Sequence, residues 1–68
     1  MDIHVRHNGR SFDFPAQQMD LGYGSTDPQI RAAVAEKLGE PRTQFEHYVI
    51  DRNGQTGDLT VRPQAVFG

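Results

Sequence analysis

The four residues His7-Asn8-Gly9-Arg10 constrain this chain more than any other stretch, because Asn-Gly between two alternating runs specifies a two-residue hairpin. Ile3 and Val5 alternate with Asp2, His4 and Arg6 before it, and Phe12 and Phe14 alternate with Ser11 and Asp13 after it. That period of two marks half-buried strands. Asn and Gly both tolerate the positive φ of a type I′ turn, whose twist matches paired strands. Pro15 has no N–H for a ladder, so it closes the second strand. Residues 2–15 therefore read as a hairpin.

Residues 16–26, AQQMDLGYGST, hold two glycines and show no period, which predicts a loop whose Met19, Leu21 and Tyr23 cap the core. Thr26-Asp27-Pro28 then starts a helix: a Thr or Asx oxygen accepts orphan N–H groups, and Pro at the first helical position removes none that was needed. The helix is expected from Pro28 to about Leu38. Ile30, Ala33, Val34 and Leu38 share one face, and Gly39 supplies a left-handed stop before Pro41. Lys37 projects into the apolar arc, so its stem is expected to cover the core edge while its ammonium reaches water near the negative end of the helix dipole.

Residues 46–52, EHYVIDR, are aromatic and β-branched and predict a third strand. Either Tyr48 with Ile50, or Val49 with Phe45, faces inward; the larger apolar surface of Tyr48 and Ile50 favours the first. NGQTG at 53–57 is a turn by composition. Leu59 and Val61 alternate in a last strand that Pro63 breaks.

Sixty-eight residues limit the chain to one domain with a small core, here 1–63 with a flexible tail at 64–68. No cysteine is present, which excludes disulfides, thiolate metal sites and thiol catalysis. Seven Lys and Arg against nine Asp and Glu, interspersed, lack the clustered basic excess of a nucleic-acid footprint. No stretch is apolar enough to span a bilayer, and the N-terminus has no signal-peptide apolar block. A cytoplasmic monomer with no membrane or nucleic-acid partner is expected.

The order ββαββ leaves few topologies. A right-handed crossover between two hairpins sets the fourth strand parallel to the first. The expected fold is α+β: a mixed four-stranded sheet of order 2-1-4-3 with one helix packed on one face, a β-grasp. The hairpin MDIHVRHNGRSFDF, the helix DPQIRAAVAEKLG, the strand pair HYVIDRNGQTGDLTV and the terminal glycine together resemble ubiquitin-like proteins, in particular the small bacterial ubiquitin-like families.

The resemblance implies two modes of action, neither enzymatic. In the first, the chain is a protein-interaction module. With Ile3, Val5, Leu59, Val61, Tyr48 and Ile50 turned to the helix, His4, Arg6, His47, Val49, Thr60 and Arg62 form a compact, mildly cationic patch on the exposed sheet face. Such a patch is either a docking surface or simply solvated. In the second, the chain is a protein modifier or sulfur carrier. An ATP-dependent activating enzyme, and then a conjugating enzyme, would be its partners, and the Gly68 carboxylate would be the group activated, with residues 64–67 threaded into the enzyme. Phe67 stands where that family has a second glycine.

No metal or cofactor is expected. His4 and His7 fall on opposite faces of a strand, and His4 meets His47 only if the fourth strand does not lie between the first and third. Ser11 and Ser25 lack a nucleophile-elbow context, and Gly22-Tyr23-Gly24 lacks phosphate-loop spacing. No catalytic residues are assigned.

Overall fold

In the computed structural model, which describes residues 1–64, four strands and one helix form a single layer pair. The strands are β1 (Asp2–His7), β2 (Arg10–Pro15), β3 (Val49–Arg52) and β4 (Leu59–Arg62); the helix α1 spans Asp27–Leu38. Short 3-10 turns cover Ala16–Met19 and Arg42–Phe45. The sheet order is β2-β1-β4-β3. β1 is antiparallel to β2 and parallel to β4, while β3 is antiparallel to β4. The expected α+β architecture and strand order are therefore present.

Local chemistry accounts for the elements. Asn8 and Gly9 have φ of 53° and 74°, the paired positive values that a two-residue hairpin loop requires. Thr26 caps α1 reciprocally: its hydroxyl accepts from the Gln29 N–H, and the Gln29 side chain accepts from the Thr26 N–H. The helix begins at Asp27, one residue before the expected start, because Thr26 rather than Asp27 is the cap. Gly39, at φ 69°, ends it in the left-handed conformation, where its N–H and that of Glu40 close onto Glu36 and Ala35 carbonyls.

Ile3 and Val5 of β1, Leu59 and Val61 of β4, and Ile30 and Val34 of α1 are buried together with Ala35, Phe45, Ala16 and Met19. Each fully buried aliphatic side chain contributes about 1.5–3 kcal/mol, so this small set carries most of the stability. Phe12, Phe14, Leu38, Tyr48 and Ile50 pack on its margin, half-buried.

The third strand departs from expectation. It covers Val49–Arg52 alone, because Phe45 closes a 3-10 turn and Glu46 and His47 form the turn that leads into the strand. That turn breaks the period of two, so Phe45 is fully buried while Tyr48 and Ile50 also pack against the core. The favoured facing, Tyr48 with Ile50 inward, is therefore the one adopted; Val49 is not part of the core, and of the other pair only Phe45 is buried, from the 3-10 turn rather than from the strand. In the 16–26 loop Met19 is buried and Leu21 half-buried, but Tyr23 is 82% exposed and does not cap the core. Its ring lies instead against the Gly57 backbone. Lys37 is exposed with Nζ 5.6 Å from the Phe14 ring centroid, as a snorkelling residue should be.

Candidate functional site

The helix covers one face of the sheet, and strand alternation assigns the side chains of the other. His4 and Arg6 of β1, Ser11 and Asp13 of β2, Thr60 and Arg62 of β4, and Val49 and Asp51 of β3 point away from α1. The register brings them side by side: His4 between Asp13 and Thr60, Thr60 opposite Asp51, and Arg62 opposite Val49. Continuing the β1/β4 register by one residue each way sets Arg6 beside Arg62 and Asp2 beside Asp58.

This face is polarised rather than evenly cationic. At one end His4 Nδ1–H donates to Asp13 at 2.6 Å, and Nε2 lies 3.7 Å from Asp58. The bond to Asp13 is the main cause that holds the imidazole above its ordinary pKa; burial opposes it, and the charges of Asp13 and Asp58 add to the rise. The backbone N–H of Asp2 donates to Asp58 at 2.9 Å and is the main cause that holds this carboxylate below its usual range. At the other end Arg62 Nε donates to Asp51 at 2.7 Å, and Arg6 forms no ion pair among the described residues. Asp2, Asp13, Asp51 and Asp58 therefore offset the basic residues, and the mildly cationic character expected of the patch holds only at the Arg6–Arg62 end. There a cleft of about 350 Å³ is lined by Arg6, Arg10, Arg62, Pro63 and Gln64 among others.

Of the six residues assigned to the patch, His4, Arg6, Val49, Thr60 and Arg62 lie on strands with their side chains on one face. His47 does not: it is exposed in the turn before β3, outside the sheet. β4 separates β1 from β3, so His4 and His47 are not brought together by strand pairing. Among the described residues no three of His, Asp and Glu are placed to hold a metal ion. The Ser25 hydroxyl accepts from the Gly22 N–H, and Gly22 to Ser25 form a closed loop. Gly68 and the tail beyond Gln64 lie outside the described residues.

Sequence reasoning assigned no role to His7, which is buried at 8% exposure beneath the helix-facing side. Asn8 Nδ2 donates to its Nε2 at 3.2 Å, so Nδ1 carries the proton and donates to the Tyr48 hydroxyl at 2.5 Å. Its ring packs 4.9 Å from that of Phe45. The position follows from alternation after Ile3 and Val5; the partners had no sequence signal.

No helix among the described residues is long and apolar enough to cross a membrane. Comparison with protein-family models, with curated proteins and with solved structures found no match to this chain.

Proposed function

We propose that the chain is a ubiquitin-like β-grasp domain that performs no chemistry of its own and acts as a protein-interaction module through its open sheet face. The fold reading is supported by the ββαββ order with β1 and β4 parallel at the centre of the sheet and one helix across it. The functional reading is carried by one observation. Ion pairs at 2.6 and 2.7 Å hold His4 and Arg62 in place, while Arg6, beside Arg62, lacks a carboxylate among the described residues. A face with its charges already oriented loses little side-chain freedom on binding. The partner that fits presents acidic side chains to the Arg6–Arg62 end, with Val49 as an apolar contact alongside.

The test is capture of partners from a cell extract by immobilised wild type, Arg6→Glu, Arg62→Glu and a chain ending at Gln64. The expected result is that both charge reversals lose a specific partner that the wild type and the shortened chain retain. Equal capture by all four would leave the face as solvated surface.

A further inference from the structure

The chain carries seven basic side chains, and most are already engaged. Arg31 donates to the Tyr48 carbonyl, Arg52 to Asp27 and the Ser25 carbonyl, and Arg62 to Asp51, while Lys37 lies over the Phe14 ring. Arg6, Arg10 and Arg42 form no ion pair among the described residues. Of these, Arg6 and Arg10 line one cleft together with Arg62, the cleft of about 350 Å³ at the hairpin end of the open face. No carboxylate lines it among the described residues, whereas the clefts beside α1 each include Glu36, Glu40 or Glu46. In a chain with more acidic than basic residues, this is a local cationic excess that the fold leaves in place. The register also sets Arg6 beside Arg62, and like charges on neighbouring strands repel unless an anion bridges them. Asp51 answers only Arg62.

We propose that this cleft binds the phosphate of a phosphorylated side chain on a partner protein. The proposal rests on the reading of the open face as a docking surface and names the acidic group that its Arg6–Arg62 end receives. Phosphate is favoured over carboxylate by charge and by the number of donors. A carboxylate has one charge and two oxygens, which a single guanidinium fork satisfies. A phosphate monoester carries close to two charges at pH 7 and three acceptor oxygens, which matches the two unpaired guanidinium groups of Arg6 and Arg10. Arg62 engages Asp51 through Nε, so its terminal N–H groups remain to donate, and the Gln64 amide lines the same cleft. All three cations are arginines, whose planar fork takes phosphate oxygens two at a time.

The surroundings select a single phosphate on a peptide over a polyphosphate chain. Asp13, Asp51 and Asp58 are held on the same face by His4, Arg62 and the Asp2 N–H, and their charges repel the successive phosphates of a nucleic acid. One isolated phosphate reaches the cleft without crossing them.

Nuclear magnetic resonance titration of the isotope-labelled full chain with an alanine pentapeptide carrying a central phosphoserine tests the site. Amide shifts centred on Arg6, Gly9, Arg10 and Arg62 are expected, with a Kd of about 1 mM or tighter. The same peptide with a central glutamate should bind about tenfold more weakly, and inorganic phosphate should shift the same amides more weakly than the phosphopeptide. Arg6→Gln and Arg10→Gln should each weaken phosphopeptide binding about tenfold, whereas Arg42→Gln, outside the cleft, should leave it unchanged. Equal binding of the glutamate peptide, or of inorganic phosphate, would overturn the assignment, as would tighter binding of a thymidine oligonucleotide or no shift at about 10 mM phosphopeptide. Those outcomes leave the docking surface itself standing; it falls separately, if wild type, Arg6→Glu and Arg62→Glu capture the same proteins from the extract.

Discussion

His7 and Tyr48, 41 residues apart in the chain, meet where β1 ends against the segment leading into β3: the imidazole Nδ1–H donates to the Tyr48 hydroxyl at 2.5 Å. Burial raises the Tyr48 phenol above its usual pKa, so the hydroxyl stays a neutral acceptor. Tyr48→Phe would leave a buried N–H without a partner. It should cost about 1–3 kcal/mol, read as a lower urea midpoint at unchanged slope. Combining it with His7→Leu, which removes the orphaned donor, should recover part of the loss.

Phe45 is fully buried, touches the rings of both His7 and Tyr48 and is held by a 3-10 turn rather than a strand. Phe45→Ala should cost about 3–5 kcal/mol, enough to leave so small a domain largely unfolded by circular dichroism at 25 °C. Phe45→Leu should retain the fold with a lowered melting temperature.

The open face should make stability depend on pH in two opposite limbs. His4 is held above its ordinary 6.5 in the folded state, first by its hydrogen bond to Asp13. Its stabilising effect is therefore fully present below about pH 6.5 and is lost as pH rises through the folded value. Asp58 is held below 3.8, first by the Asp2 N–H, so its effect is present above that value and lost as pH falls through the folded one. Melting temperature should decline on the alkaline side of about pH 6.5 in the wild type, and Asp13→Asn should flatten that decline. An identical slope in Asp13→Asn would mean that another group governs the alkaline limb.

Thr26 makes both halves of its capping arrangement with Gln29. Thr26→Ala should cost about 1 kcal/mol, a fall of roughly 4–8 °C in melting temperature for a domain of this size. Thr26→Ser should keep nearly all of it.

What was legible in the sequence was whatever neighbouring residues decide among themselves. Asn8-Gly9 permits the positive φ of its turn, Thr26-Asp27-Pro28 marks the start of the helix, and alternation alone places Ile3, Val5, Leu59 and Val61 inward. From that local order the α+β class and the sheet order follow, since one helix between two hairpins leaves few right-handed arrangements.

Residues 40–48 carried no comparable signal. A 3-10 turn has neither the period of a strand nor that of a helix, so strand propensity extended β3 backward across Glu46 and His47 and misplaced His47 on the sheet. The character of the open face was likewise beyond local reading. Its cationic and acidic ends exist because the parallel register of β1 with β4 brings Arg6 beside Arg62 and His4 within reach of Asp58. Sequence by itself determined most of the elements, the apolar side of each and the order of the strands, because those depend on contacts a few residues long and on the few arrangements a right-handed crossover allows. Only the tertiary structure decided which side chains meet across the element boundaries, and with them the His7–Tyr48 bond and the polarity of the face, because those contacts join segments that no local period connects.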